Sequence, residues 1–193
     1  MTPTAQLDTF AGDHLPLRGE WPEFIYELPE LQFNGRLNCA AELLDRAIDA
    51  RGWGERPALH SSRETLSYAA LRERVDRIAR VLVEDMGAVP GNRVLLRGCN
   101  TPTLAAIWLA VQKAGCVAVT TMPLLRAKEL AEIIGKARIT HAFCETALRG
   151  ELDAARSRCP SLRELVAFDD ADPRKSALAA RCATRDGGFA AVA

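Results

Sequence analysis

Apolar and polar residues recur along this chain with two periods, one helical and one typical of buried strands. From Asn38, apolar positions are spaced about 3.6 residues apart until Gly52, which predicts a helix capped by Asn38 and stopped by the glycine. A second stripe with the same period follows Ser67 and is the clearest in the chain. Two short strands, 57–61 and 64–67, are predicted between these helices.

Beyond residue 90, short apolar runs alternate with helical stretches. The predicted strands are 93–97, 116–121, 139–144 and 162–168. The predicted helices between them are 102–114, the stretch around Leu130 to Ala137, and 148–157. This alternation indicates βαβ units, and therefore a doubly wound, Rossmann-like α/β fold whose parallel sheet has helices on both faces.

The loops at the carboxyl ends of such strands are where ligands bind in folds of this class. We therefore take loops 98–101, 121–127 and 145–148 as the candidate functional loops.

The same pattern divides the chain into three segments. Residues 1–36, broken by prolines, are predicted to form an extended arm whose apolar side chains lie across the domain. Residues 37–168 are predicted to be the α/β subdomain, and residues 169–193 a poorly defined tail with a weak helical middle. The longest apolar run, Leu104 to Val111, is far shorter than the roughly 20 residues that cross a bilayer.

The net charge of the chain limits the kinds of partner that we expect. The 193 residues include 25 Lys and Arg against 25 Asp and Glu, so the formal net charge is zero. Because nucleic-acid arms and membrane-surface domains need a basic excess, we expect neither nucleic acid nor membrane as a partner. The first residues lack the basic start and apolar core of a signal peptide, so we expect a cytoplasmic protein.

Self-sufficient catalytic motifs are absent from the sequence: there is no GxxxxGK[ST], no GxGxxG and no GxSxG. Loop 98–101 has one glycine, too few to hold a polyphosphate on backbone N–H groups. The six cysteines lack metal or redox spacing and are interpreted as small apolar residues. We interpret His141 as a packed, hydrogen-bonded residue rather than a base. The acidic residues Asp169, Asp170 and Asp172 are interpreted as a solvated turn rather than a metal site.

Four short motifs stand in order along the chain: LSYAAL (66–71), PGNRV (90–94), KAGCV (113–117) and PL with EL (123–130). They resemble the "TYxEL", "GDRV", "KAGAV" and "PL…EL" motifs of the adenylate-forming acyl-CoA synthetases, the AMP-dependent synthetase/ligase superfamily. Within that superfamily the chain is most similar to the aryl-CoA ligases, such as those acting on 2-aminobenzoate and benzoate. WPEFIYELPELQF (21–33) resembles the N-terminal arm of that group.

The resemblance implies an ATP-dependent, AMP-forming ligase that uses ATP, Mg²⁺ and CoA. It covers this chain but only roughly the first third of the family's length, and stops before the family's phosphate loop and catalytic lysine. It therefore implies an N-terminal fragment with no catalytic residue, no metal site and no cofactor bound by this chain alone, inactive by itself. Its expected partners are the remainder of the ligase chain, or copies of itself associating through exposed sheet faces.

One local binding role follows from the resemblance. It implies that Arg126 and, next to it, Lys128 contact a CoA phosphate, because the family's loop after the "KAGAV" strand lies near the CoA entrance. The alternative is that Arg126 is a solvated arginine at a helix start.

Two other functions remain open from the sequence. The chain could be a non-catalytic interaction module, or one part of a split ligase completed by a separate polypeptide. A free-standing Rossmann-like nucleotide binder has little support, because the glycine fingerprint is absent.

Overall fold

The computed structural model describes residues 4–33, 35–172, 174 and 176–193. The parts of the predicted arm and tail at 1–3, 34, 173 and 175 lie outside the described residues. The strands are β1 (Pro57–His60), β2 (Thr65–Ser67), β3 (Arg93–Arg97), β4 (Val117–Thr121), β5 (His141–Glu145) and β6 (Glu164–Phe168). The helices are α1 (Phe10–Asp13), α2 (Arg46–Asp49), α3 (Tyr68–Arg80), α4 (Pro102–Lys113), α5 (Ala127–Lys136), α6 (Arg149–Arg156) and α7 (Ala177–Cys182). Two π-helical turns extend them, Ala41–Asp45 before α2 and Val81–Asp85 after α3.

The helix starts predicted from the sequence are confirmed by their caps. The Asn38 carboxamide oxygen accepts hydrogen bonds from two backbone N–H groups of the turn that leads into α2. The Ser67 hydroxyl caps α3 and the Thr101 hydroxyl caps α4, each accepting from the N–H three residues on at 3.2 Å. Gly52 has φ +66°, the left-handed conformation that ends a helix.

The main sheet is parallel throughout, with strand order β4-β3-β5-β6. From β3 the chain moves outward to β4, then crosses back to place β5 on the other side of β3 and β6 beyond it. Strands β1 and β2 form a separate antiparallel hairpin. This is the doubly wound α/β fold predicted from the alternation of strands and helices.

Each face of the sheet is covered by helices. Val94 and Leu96 of β3 pack in one cluster with α3, α4 and α7, whereas Leu95 packs in a second cluster with α5 and α6. The expectation that the sheet faces are exposed is therefore wrong, because helices from both crossover directions bury them. In the described part of the chain the sheet has two edge strands, β4, which pairs with β3 alone, and β6, which pairs with β5 alone. β6 is the more buried of the two, whereas no residue of β4 is fully buried.

The prediction of a poorly defined tail from residue 169 does not hold for α7. Ser176 caps this helix, and Leu178 is buried in the same cluster as β3. Further on, the Val192 N–H donates to the Lys113 carbonyl, whose helix end is also bound by Asn38. The sequence pattern of this C-terminal segment is weak, and its structure is held by contacts with distant parts of the chain.

The N-terminal arm is anchored by Asp8 and Phe10 and not by the aromatic residues of 21–33. The Asp8 carboxylate forms an ion pair with Arg93 at 2.6 Å, and Phe10 lies between the guanidinium groups of Arg93 and Arg138, 4.8 Å from each. Burial alone would raise the pKa of Asp8, but hydrogen bonds from Arg93, the Phe10 N–H and Asn92 outweigh it and lower that pKa. The expectation that the apolar side chains of 21–33 lie across the domain is wrong, because they are exposed.

A buried ion cluster ties the end of α4 to its neighbours. Lys113 is almost fully buried, and its Nζ lies 2.5 Å from Asp76 on α3 and 2.8 Å from Asp45 at the end of a π-helical turn. Because two carboxylates surround one ammonium, the lysine is fully paired inside the protein. In the part of the chain described, no helix is long and apolar enough to cross a membrane.

Candidate functional site

The candidate site lies at the carboxyl ends of β3 and β5. These strands are neighbours, but the helices that follow them, α4 and α6, lie on opposite faces of the sheet. The two loops therefore diverge and open a crevice, the usual position of ligands in doubly wound folds. A cleft of about 710 Å³ occupies this position. Its polar lining includes Arg63, Glu64, Arg74, Cys99, Thr101, Glu145, Asp170 and Arg174.

Two of the charged groups in this cleft, Arg74 and Glu64, are paired with each other, and Glu145 and Asp170 bind backbone or hydroxyl groups. The Arg74 guanidinium donates to both oxygens of Glu64 at 2.8 and 2.9 Å, and this hydrogen bonding lowers the pKa of the Glu64 carboxyl. Glu145 accepts a hydrogen bond from the Cys99 backbone N–H at 2.9 Å. The same carboxylate raises the pKa of the Cys99 thiol, which disfavours the thiolate needed for a nucleophile. These pairs shape the cleft without forming a nucleophile–base pair.

A buried arginine organises the neighbouring loops. Arg97, the last residue of β3, is 1% exposed. Its guanidinium donates to the carbonyls of Met122 at 3.0 Å, Pro123 at 3.0 Å and Leu125 at 2.8 Å, and its Nε to that of Leu148 at 3.3 Å. The loop after β4 and the turn after β5 are thus held to the end of β3 by one side chain.

Sequence reasoning did not single out Arg97, although it named the two loops that this residue holds. The available signal was the position itself, a charged residue closing an otherwise apolar strand directly before a candidate loop. Burial of such a cation requires partners, and here backbone carbonyls provide them.

Arg126 and Lys128, the residues expected to contact a CoA phosphate, lie at the start of α5. The Arg126 side chain is 77% exposed, and its guanidinium is 2.9 Å from Glu151 on α6. Hydrogen bonds from Arg126 and from the Ala127 backbone lower the pKa of Glu151. Lys128 is exposed on the same helix turn. The structure places both cations at the same edge of the sheet as the cleft, with Arg126 already paired to a carboxylate.

The glycine of loop 98–101 packs against an aromatic side chain. A Cβ at Gly98 would lie 2.6 Å from the Phe168 ring, so the small size of this residue accommodates that ring. Within the described ranges, no group of three or more potential ligands is arranged to hold a metal ion. Asp169 accepts hydrogen bonds from the backbone of its own turn, and Asp170 accepts one from Thr101.

His141 is the packed residue that the sequence predicts. Its Nε2 is 3.0 Å from the Met86 carbonyl and its Nδ1 is 2.7 Å from the Thr140 hydroxyl, so both ring nitrogens have partners. Burial lowers the pKa of His141 and favours the neutral ring. Burial also raises the pKa of Cys116 and of Cys144 to about 12, which keeps these thiols protonated and supports their interpretation as small apolar residues.

Fold and site together define a doubly wound α/β subdomain with a cleft at the carboxyl ends of β3 and β5, here called the switch-point cleft because the chain changes direction across the sheet at this point. Residues 47–188 match the family described as AMP-binding enzyme. The chain belongs to this family. The match covers most of the α/β subdomain and α7 but excludes the N-terminal arm.

Individual relatives agree with that assignment. The chain is 28% identical over 156 residues to a 4-hydroxybenzoate–CoA/benzoate–CoA ligase of Rhodopseudomonas palustris, which covers 81% of this chain and 29% of that enzyme. Its fold is similar to that of the anthranilate CoA ligase AuaEII in complex with anthranoyl-AMP, with a TM-score of 0.70 and 16% identity over 79% of this chain and 28% of that one. It is also similar to the N-terminal domain of FACL13 from Mycobacterium tuberculosis, with a TM-score of 0.68 and 21% identity over 79% of this chain and 38% of that one. The chain thus spans less than a third of the length of the benzoate ligase that it matches.

Proposed function

We propose that this chain is the N-terminal part of an ATP-dependent aryl-CoA ligase and is inactive alone. The observation that carries the proposal is the match to a benzoate–CoA ligase along 81% of this chain but only 29% of that enzyme. In such a ligase the carboxylate becomes an acyl-adenylate with release of pyrophosphate. The CoA thiol then takes the acyl group, and AMP leaves.

The acid proposed for the parent reaction is 2-aminobenzoate or a benzoate-like acid. Support comes from the names of two similar proteins, a benzoate–CoA ligase and an anthranilate CoA ligase. The switch-point cleft does not have the usual character of an aryl pocket, because most of its lining residues are charged or polar. We therefore assign the acid pocket to residues outside this chain.

Within this scheme the chain's own residues shape the CoA side of the site. Arg97 fixes the loop that ends at Arg126, and Arg126 and Lys128 contact a CoA phosphate. Since the Arg126 guanidinium uses one nitrogen for Glu151, its remaining donors are available to a phosphate oxygen.

A pyrophosphate-release assay tests inactivity directly. The purified chain with ATP, Mg²⁺, CoA and either benzoate or 2-aminobenzoate should give no release above the protein-free rate. Clear turnover by the chain alone would contradict the proposal. A chimera tests the family role: the Rhodopseudomonas palustris ligase, with its matching region replaced by this chain, should form benzoyl-CoA. A folded chimera that makes no benzoyl-adenylate would count equally against it.

Calorimetry tests the CoA contact. In the chimera, CoA should bind more tightly than pantetheine, which lacks the phosphates, and Arg126→Ala with Lys128→Ala should remove that difference. Arg158→Ala, at an exposed position just after α6, is the matched control. Equal binding of CoA and pantetheine would show that the two cations do not contact a phosphate.

A further inference from the structure

A short segment of the N-terminal arm, residues 23–28, has the pattern of a strand but no partner. Trp21, just before the segment, and Leu28, its last residue, have extended backbone angles. Phe24, Tyr26 and Leu28 are 58%, 56% and 61% exposed. The Phe24 and Tyr26 rings are stacked with centroids 6.2 Å apart, as expected for residues on one face of an extended chain. Among the described residues, no backbone N–H of 23–28 donates to another backbone group.

An unpaired strand edge elsewhere on the chain complements this segment. β4 pairs on one side with β3, and on its other side no strand is present in the described part of the chain. A groove of about 610 Å³ runs beside this edge, and its lining is mostly apolar. Thr120 of β4, Trp108 and Leu104 of α4, and Leu59 of β1 form part of that lining. An open edge beside an apolar groove is the arrangement that accepts an added strand.

We propose that segment 23–28 of one copy adds as a strand to the outer edge of β4 in a second copy, with Phe24, Tyr26 and Leu28 facing the groove lined by Trp108. Each copy carries one arm and one edge, so the exchange is reciprocal and closes as a two-fold dimer.

The charge on the other face of segment 23–28 supports its binding to the β4 edge of a second copy. Side chains alternate along a strand, so Glu23, Ile25 and Glu27 face away from Phe24, Tyr26 and Leu28. With the apolar face turned toward α4, the two glutamates lie on the α5 side of β4. The exposed cations Arg126 and Lys128 are at the start of that helix. The arm between residues 19 and 33 has four glutamates and no basic residue, so its charge complements these cations.

The contact area is sufficient for a dimer. An aromatic side chain offers about 150–250 Å² of surface, so the exposed parts of Phe24, Tyr26 and Leu28 together offer roughly 300 Å². Two arms with their two grooves then bury on the order of 1,200 Å², the lower end of the range of stable interfaces.

The arm's own tethers favour a second copy over the same chain. Asp8 ties one end of the arm to the start of β3, and Asn38 ties the other end to the last turn of α4. Both ties lie at the amino end of the sheet. Between them the apolar side chains of 23–28 face solvent and leave the β4 edge of their own chain uncovered.

Sedimentation velocity of the full chain over a concentration series, with light scattering, tests the exchange. We expect a reversible dimer. Tyr26→Glu and Trp108→Glu should each weaken dimerisation at least about tenfold. Leu17→Glu, the same kind of change in an exposed part of the arm outside 23–28, should leave the dimer unchanged. Because Tyr26 makes few contacts within its own chain, Tyr26→Glu should keep the wild-type circular dichroism spectrum.

Mixing the two weakened variants gives the decisive result. The intact arm of the Trp108→Glu chain fits the intact groove of the Tyr26→Glu chain, so the mixture should form heterodimers at a concentration at which each variant alone is mostly monomeric. A wild-type chain that stays monomeric would overturn the proposal, and so would a monomer whose 23–28 amides resist hydrogen exchange, since its own arm would then cover the edge. A dimer that survives Tyr26→Glu unchanged would overturn it as well.

Discussion

Replacing Arg97 by methionine should destabilise the protein far more than the same change at Arg126. Both arginines lie at the carboxyl edge of the sheet, but Arg97 is 1% exposed and donates to four carbonyls, whereas Arg126 is largely exposed and forms one ion pair. Methionine keeps much of the aliphatic length and removes the donors. Comparing the two methionine variants therefore separates the stability contribution of a buried arginine from that of an exposed arginine at the same edge of the sheet.

The loss of stability in Arg97→Met depends on two opposing effects. Hydrogen bonds to a charged group contribute about 1.5–3 kcal/mol each, and three of the Arg97 bonds are 3.0 Å or shorter. Against this, no carboxylate is within ion-pairing distance of Arg97 in the described residues, so methionine relieves the cost of burying an uncompensated cation. The exposed loop side chains at Met122 and Leu124 also let water reach some freed carbonyls. We expect a net loss of about 2–4 kcal/mol, or roughly 5–15 °C in Tm for a chain of this size.

Urea unfolding followed by circular dichroism measures the difference. Arg126→Met should cost less than about 1 kcal/mol, as exposed pairs do. Arg97→Lys should fall between the two methionine variants, because an ammonium has three donors and lacks the planar fork. If the unfolding free energies of Arg97→Met and Arg126→Met lie within about 1 kcal/mol of each other, water replaces the Arg97 guanidinium at no cost, and its hydrogen bonds to the loop carbonyls do not stabilise the fold.

Three further predictions concern stability. The pKa of Asp8 is lowered in the folded state. Its carboxylate therefore stabilises the fold fully above the unfolded-state pKa of about 3.9, and this stabilisation is lost as pH falls through the lower folded-state pKa. In urea titrations, the difference in unfolding free energy between wild type and Asp8→Asn should shrink on acidification. Lys113→Met leaves the buried Asp76 carboxylate unpaired and should cost about 3–5 kcal/mol in urea. In thermal unfolding, Gly98→Ala should lower Tm through its ring clash, whereas Gly135→Ala, which meets no neighbour inside α5, should raise stability by about 0.5–1 kcal/mol.

Local patterns predict the sheet and its helices well because burial on both faces demands continuous apolar strands. The caps at Ser67 and Thr101 are short-range hydrogen bonds, so their residues can be identified from the sequence. Strand limits are less determined: the run 139–144 predicts a strand, but the ladder covers His141–Glu145, since Ile139 still bonds to the end of the preceding helix.

Long-range contacts account for what the sequence pattern does not predict. Arg97 meets carbonyls 25 and 51 positions away along the chain, and no periodicity indicates whether a terminal strand residue faces solvent or a loop. The aromatic residues of the arm suggest burial by composition, but Asp8 and Phe10 form the observed anchor. Composition predicts how much apolar surface a segment has, and the tertiary structure decides whether it is covered.

The Asn38 carboxamide has a practical consequence for engineering the chain. Its nitrogen donates to the carbonyls of Gln112 and Val192, which brings the first and last segments together at the amino end of the sheet. Gln6 and Ala193 line the same small cavity there. A short linker could therefore join these positions in a circular permutant, with new termini opened in an exposed loop. Fluorophores or surface tethers attached at either position would point away from the switch-point cleft and leave it accessible for binding measurements.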